Sequence, residues 1–107
     1  MTSQGANCVA VGNQAGNISQ GAGAIAIGFQ AAIGTTTPQG ANAIAIGYLA
    51  SNLSQTAGSI CLNASGVSTI ANQVGCFIRP IRGVALGIGI GQVFYDTTTF
   101  ELQYSTT

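Results

Sequence analysis

In four segments of the chain, small residues alternate with β-branched or aliphatic ones, and a Gly or an Asn ends each segment. Strict alternation is typical of a β-strand, because successive side chains point to opposite faces. The four segments are residues 8–12, 24–28, 43–47 and 59–63. A Gln stands four positions before each of them, and these Gln residues are spaced by 16, 19 and 16 positions. So short a period predicts one supersecondary unit stacked on itself, as in a solenoid.

Aligning the four segments separates the large side chains from the small ones. The large side chains form two columns, which are Val9, Ile25, Ile44 and Ile60, and then Val11, Ile27, Ile46 and Leu62. The small columns between them include Ala24, Ala26, Ala43 and Ala45. We expect the large columns to fill the inside of each coil and the alanines to lie outside, where another backbone can approach closely. These four alanines are therefore predicted interface residues.

Each coil is predicted to have two sides, because turn-forming residues flank every strand. Gly or Asn ends all four strands, and both residue types tolerate a left-handed backbone. The second repeat is longer than the first by three residues, at positions 34–38. A loop can bulge there without disturbing the stack, so Thr35, Thr36 and Thr37 form the candidate ligand-contact loop.

The repeat fades in the last third of the chain, which predicts a repeat domain at 1–66 and a C-terminal region at 67–107. Within the second region, residues 86–91 alternate Leu or Ile with Gly. We favour a packed strand here over a flexible exposed one, with bare backbone close to a symmetry axis. Gly87 and Gly89 are accordingly predicted to join the interface.

A β-hairpin is predicted at the C-terminal end. Residues 92–95 and 100–104 are rich in aromatic and aliphatic residues, and they flank Asp96-Thr-Thr-Thr99, which is typical of a short turn. Solenoids need a cap over their open end, and an aromatic hairpin can supply one. We favour this cap over a sugar-binding aromatic platform, because no carboxylate-rich groove accompanies the rings.

The composition narrows the possible functions. Charged residues make up 4% of the chain, His and Lys are absent, and residues 1–78 carry no charged side chain. Nucleic-acid binding is excluded by the missing basic patch, and the longest apolar stretch is too short for membrane insertion. Near-zero net charge with positive mean hydropathy predicts that apolar surface is buried between chains. An oligomer is expected.

No catalytic, cofactor-binding or metal-binding residues are predicted. Without His there is neither a Ser-His-Asp arrangement nor an imidazole base. Asp96 and Glu101 are the only acids, and Asp in a hairpin turn commonly serves local hydrogen bonding rather than glycoside hydrolysis. The three cysteines show no Cys-x-x-Cys spacing, so neither a zinc site nor a disulfide framework is indicated. The sequence predicts that this is not an enzyme.

Asn42 to Gly47 reads Asn-Ala-Ile-Ala-Ile-Gly and has copies that begin at residues 7 and 23. It resembles the head repeat of YadA-like trimeric autotransporter adhesins. The resemblance covers residues 4 to about 66 and implies a left-handed parallel β-roll, three of which associate about one axis. The period of 16 is longer than the adhesin spacing, so the turns need not match in detail.

The longer Gln-Gly-Ala-Asn form of the repeat, followed by residues 60–66, looks more like fibre-type proteins of large DNA viruses and phages. In those proteins the roll continues into a segment similar to residues 76–82 and then into a hairpin similar to residues 93–104. The expected fold class is thus all-β, a left-handed parallel β-roll of about four 16-residue coils followed by a strand and a hairpin cap, in a homotrimer.

From the repeats and this resemblance we expect a non-enzymatic structural or attachment protein. It would be a trimeric fibre or head domain on a virion surface, in contact with the host. A glycan-binding receptor module and a bacterial adhesin head at the cell surface are the alternatives. An ice-binding solenoid is disfavoured because Thr does not recur in register on every coil. The expected partners are sister chains and a host-surface glycan or receptor, and no cofactor is expected.

Overall fold

The computed structural model describes residues 3–34, 37–69, 71–85, 87–89 and 91–105. These residues form nine β-strands and no helix. The strands are β1 (Ser3–Gln4), β2 (Val9–Val11), β3 (Ser19–Gln20), β4 (Ile25–Ile27), β5 (Ile44–Gly47), β6 (Ile60–Asn63), β7 (Cys76–Arg79), β8 (Val93–Tyr95) and β9 (Leu102–Tyr104). The predicted all-β class is confirmed.

Five of the strands form one parallel sheet in the order β2-β4-β5-β6-β7. Val9 pairs with Ile25, Ile25 with Ile44 and Ile44 with Ile60, so the aligned sequence columns are also columns in space. A smaller parallel sheet of β1 and β3 lies on another side of the coil, and a bridge from Gln20 to Gln39 extends it. The chain is therefore a parallel β-solenoid of about four turns, as predicted. Its left-handedness and its trimeric state remain predictions.

The solenoid continues past residue 66, where the sequence analysis ends it. In β7, Cys76 pairs with Ile60 and Ile78 pairs with Leu62, which adds a fifth strand at the same 16-residue spacing. The alternation of large and small residues is lost in this strand because Phe77 occupies the small column. Phe77 is partly buried and packs against the core from β7, the edge strand of the five-stranded sheet.

The core of the solenoid is made of alanines, which corrects the predicted packing. Ala24, Ala26, Ala43 and Ala45 are all 0% exposed within the single chain. Alanines from the other side of the coil, including Ala31 and Ala50, are buried against the same core. The buried hydrophobic residues of the coils are alanines and Cys61 and come from both sides of the coil, so the space between the two sides is narrow. The prediction that Ile and Val fill the inside is wrong, and the four alanines retain no surface for a partner.

Glutamine side chains form a ladder inside the coils. Gln20 Nε2 donates to Gln39 Oε1 at 2.9 Å, and Gln39 Nε2 donates to Gln55 Oε1 at 2.8 Å. The same amides also bond to backbone carbonyls, for example Gln39 Nε2 to the oxygen of Ile25 at 2.8 Å. Gln20 Oε1, at the N-terminal end of the ladder, is buried and accepts no hydrogen bond from the described residues. The ladder satisfies most of the polar groups that this narrow core encloses, which keeps the coils in register.

Glycines at the ends of the strands allow the coils to stack closely. Gly28 has a φ of 125°, and a Cβ atom built on it would lie 2.6 Å from the carbonyl oxygen of Gly47 in the next coil. Gly12 has the same relation to Gly28. At Gly12 and Gly28 both the conformation and the contact exclude a larger residue, whereas Asn63, the last member of this predicted column, ends β6 without a positive φ.

The C-terminal region agrees with the sequence in its hairpin but not in its strand. β8 and β9 are antiparallel, with Val93 opposite Tyr104 and Tyr95 opposite Leu102, as the hairpin prediction requires. Gly87 to Gly89 lie in an exposed turn instead of a strand, because Ile88 finds nothing to pack against in the single chain. Leu86 and Ile90, the other members of that predicted strand, lie outside the described residues.

Candidate functional site

The outer face of the five-stranded sheet is the main candidate for an interaction surface. We define it as the two columns of large side chains on β2, β4, β5, β6 and β7: Val9, Ile25, Ile44, Ile60 and Cys76, and then Val11, Ile27, Ile46, Leu62 and Ile78. Val11 is 55% exposed and Ile78 is 44% exposed, and every other member is exposed or half-buried. This outer face runs the length of the solenoid.

A parallel sheet with one aliphatic face open to solvent is unusual. Parallel sheets occur almost only where both faces are covered, because their strands are apolar on both sides. No charged or amide side chain interrupts either column of the outer face, so nothing in it favours water. Contiguous exposed apolar surface on this scale marks a site of interaction with another molecule.

Two grooves border the C-terminal end of the outer face. The larger, of about 680 Å³, lies between the sheet and the hairpin and is lined by Gly58, Ile60, Val74, Gly75, Cys76, Ile78, Tyr95, Phe100 and Leu102. The smaller, of about 380 Å³, is lined by Ile46, Gly47, Leu62, Asn63, Ala64, Ile78, Arg79 and Pro80. Ile78 lines both grooves, so its side chain forms a ridge between them.

The hairpin is held by its turn, not by a core of its own. Asp96 Oδ1 accepts hydrogen bonds from the backbone N–H groups of Thr98 at 2.7 Å and Thr99 at 3.0 Å. The bond from Thr99, followed by the bond from Thr98, lowers the pKa of the Asp96 carboxyl, because both stabilise the carboxylate. Every residue of β8 and β9 is exposed, so the aromatic side chains do not form a mini-core within one chain.

The three cysteines occupy different environments. Cys61 is buried in the alanine core, and burial raises the pKa of its thiol, which makes it a poor nucleophile. Cys8 is partly buried, and its Sγ donates to the carbonyl oxygen of Gly21 at 2.9 Å. Cys76 is exposed on the outer face at the wall of the larger groove. A molecule that covers that groove would therefore also cover the Cys76 thiol and lower its accessibility to reagents.

An aromatic pair lies at the corner of the solenoid that follows β4 and β5. Phe29 and Tyr48 stack with ring centroids 5.3 Å apart and an angle of 14° between their planes. Beside them, Gln30 Nε2 donates to Gln14 Oε1 at 2.6 Å on the exposed surface. Stacking of this kind links neighbouring coils, and it also leaves aromatic surface and amide groups accessible from outside.

The residues predicted as sites are dispersed in the structure. The four alanines form the core, whereas Gly87 and Gly89 are exposed and their interface role stays a prediction. Thr37 is exposed, and Thr35 and Thr36 lie outside the described residues. The outer face was not predicted as an interaction surface. The signal for it was the size of the alternating residues, since only the small set fits inside so short a coil.

Within the described ranges, no three His, Cys, Asp or Glu residues cluster as metal ligands would. The same part of the chain contains no helix of the length and apolar character needed to span a bilayer.

Comparisons with known proteins give no relative of this chain. No family model, no curated protein and no solved structure matches it.

Proposed function

We propose that this protein is a non-enzymatic structural module that assembles with copies of itself into a homotrimeric fibre or head domain. The observation that carries the proposal is the outer face, an aliphatic surface without charge that a single chain leaves open to solvent. Covering it releases water from apolar area at about 25 cal/mol per Å², which is the main driving force of association.

A second copy of the chain is the partner that suits this surface. All chains carry the same columns, with one residue from each strand of the sheet in each column, so parallel copies meet in register. Cyclic symmetry then closes the assembly and leaves no outer face exposed. The number of subunits, three, is proposed from the resemblance to trimeric adhesin heads.

The proposed location is a virion surface, where the trimer projects toward a host and contacts it. Support comes from the resemblance to fibre-type viral proteins and from the solenoid of stacked coils. An extracellular or cell-surface location, as in a bacterial adhesin head, is the alternative. Purified virions or bacterial surfaces probed with an antibody against the protein would distinguish the two.

Size-exclusion chromatography with light scattering tests the assembly directly. We expect a mass of three chains at micromolar concentration, and Ile27→Ser with Ile46→Ser to shift the protein toward the monomer. Both isoleucines are on the exposed side of the sheet, so the variants leave the alanine core intact. A wild-type protein that stays monomeric at micromolar concentration would contradict the proposal.

A glycan-binding receptor module is the second candidate, and the exposed Phe29–Tyr48 pair favours it. Sugar rings stack on aromatic faces, and the neighbouring amides of Gln14 and Gln30 can hydrogen-bond to hydroxyl groups. A glycan array should then show a signal that Tyr48→Ala abolishes without changing the mass of the assembly. The absence of any signal for the wild-type assembly would remove this candidate and leave the structural role.

A further inference from the structure

The hairpin loop contains an aromatic residue in an unusual backbone conformation. Phe100 has a φ of 62°, in the left-handed region that glycine or asparagine ordinarily occupies in hairpin loops. Its N–H donates to the oxygen of Asp96 at 2.8 Å, and the N–H of Asp96 donates to the oxygen of Glu101 at 2.9 Å. The hydrogen bonds of the loop are therefore regular, and the unusual feature is a phenylalanine at a position where glycine or asparagine is expected.

The Phe100 side chain gains little from packing within its own chain. It is 73% exposed, although it lines the larger groove together with Tyr95 and Leu102. A bulky residue at positive φ is uncommon, and residues held in this way cluster at functional and ligand-contact sites. The strain at Phe100 is thus not offset by burial in the monomer, which points to burial by another molecule.

The chemistry of the groove restricts what that molecule can be. Aliphatic and aromatic residues, two glycines and one thiol line it, and none of them carries a charge at neutral pH. The groove is also continuous with the outer face, since Ile60, Cys76 and Ile78 belong to both. An occupant must present an uncharged aliphatic surface, and the outer face of a second copy is such a surface.

The available area agrees with a contact between chains. Tyr95 and Phe100, the aromatic residues that line the groove, are 57% and 73% exposed. With about 200 Å² for each residue, they present about 260 Å² of surface. A stable interface buries about 800 Å² on each partner, and the outer face beside the groove supplies the remainder.

We propose that the larger groove receives the Ile78 ridge of a second copy and that Phe100 is the anchor residue of this contact. This proposal rests on the proposed self-assembly and assigns Ile78 and Phe100 to the contact between chains. Ile78 is a ridge on each chain, bordered on one side by the groove that the hairpin overhangs. In a cyclic arrangement the ridge of one chain enters the groove of the next, so every chain gives one ridge and receives another.

The variant Phe100→Gly distinguishes a role of Phe100 in assembly from a role in the folding of the hairpin alone. Glycine relieves the left-handed strain, so the hairpin should form at least as well as in the wild type. Removal of the ring should nevertheless weaken assembly, with at least a tenfold rise in the dissociation constant measured by sedimentation equilibrium. Tyr104→Ala is the matched control, because Tyr104 is 72% exposed on the same hairpin but does not line the groove.

Cys76 supplies a second measurement on the wild-type protein. Maleimide labelling read by peptide mass spectrometry should show Cys76 protected at assembly-forming concentrations and labelled after dilution or in Phe100→Gly. A wild-type assembly in which Cys76 stays freely labelled, and in which Phe100→Gly has no effect, overturns the anchor while the proposed self-assembly stands. A monomeric wild type overturns both.

Discussion

Replacing Gln39 with Leu should destabilise the solenoid more than any surface substitution of the same kind. Gln39 is 2% exposed and lies at the centre of the glutamine ladder. Its Oε1 accepts from Gln20, and its Nε2 donates to Gln55 Oε1, to the carbonyl oxygen of Ile25 at 2.8 Å and to that of Ala43 at 3.2 Å. Leucine is apolar and one carbon shorter, and it can make none of these bonds.

The loss of stability in Gln39→Leu depends on which of the former hydrogen-bonding partners still have another partner. Gln20 Nε2 keeps its bond to the oxygen of Val9 at 3.0 Å, and the oxygen of Ala43 still accepts from the N–H of Ile25. Gln55 Oε1 loses its donor and stays buried, which costs about 1–3 kcal/mol. The other lost bonds contribute about 0.5–1.5 kcal/mol each. With three such bonds lost besides the one to Gln55, we expect a loss of about 2.5–7.5 kcal/mol in the free energy of unfolding.

Urea unfolding followed by circular dichroism, at one fixed protein concentration, measures this loss. The concentration must be fixed because assembly stabilises the folded chain by mass action. Gln4→Leu is the matched control: Gln4 stands in the same column and pairs in register with Gln20, but it is exposed. That variant should stay within about 0.5 kcal/mol of the wild type. A Gln39→Leu protein as stable as Gln4→Leu would refute the view that the ladder holds the coils.

Three further perturbations test other parts of the structure. Gly28→Ala should cost more than 1 kcal/mol in thermal or urea unfolding, because its φ is 125° and the new Cβ would lie 2.6 Å from a carbonyl oxygen of the next coil. The bond from the N–H of Thr99 lowers the pKa of Asp96. The ionised Asp96 should therefore stabilise the hairpin above the ordinary pKa of a carboxyl group, and this stabilisation should vanish as the pH falls through the lowered pKa. NMR shifts of the hairpin should report this acid dependence, and Asp96→Asn should abolish it. Thiol labelling of the native protein at pH 8 should leave Cys61 unmodified, because burial raises its pKa, until the solenoid unfolds.

The sequence was sufficient to predict the arrangement of strands. Four copies of one alternating pattern at a constant offset from a Gln could only align as parallel strands in register, and Ile44 does pair with Ile60. The prediction was reliable because, in stacked coils, equivalent residues of neighbouring coils have the same surroundings. The fifth strand was missed since Phe77 breaks the alternation, although the 16-residue spacing from Cys61 continues through it.

The direction in which each face points was not predictable from alternation alone. A period of two separates the residues into two sets without saying which set is inside. Larger aliphatic residues usually occupy protein cores, and that expectation fails here because the coil is too narrow. The second side of the coil settles the question: Ala31 and Ala50 are small as well, so both walls of the interior were already limited to alanine.

The corrected orientation strengthens the case for assembly instead of weakening it. With alanines inside, each coil buries little apolar area by itself, and the aliphatic side chains that could add stability are left on the outer face. A chain folded in this way remains marginal until that face is covered. Association and folding are therefore expected to be coupled, so that substitutions on the outer face such as Ile27→Ser lower the unfolding midpoint at high protein concentration but have little effect on the dilute chain.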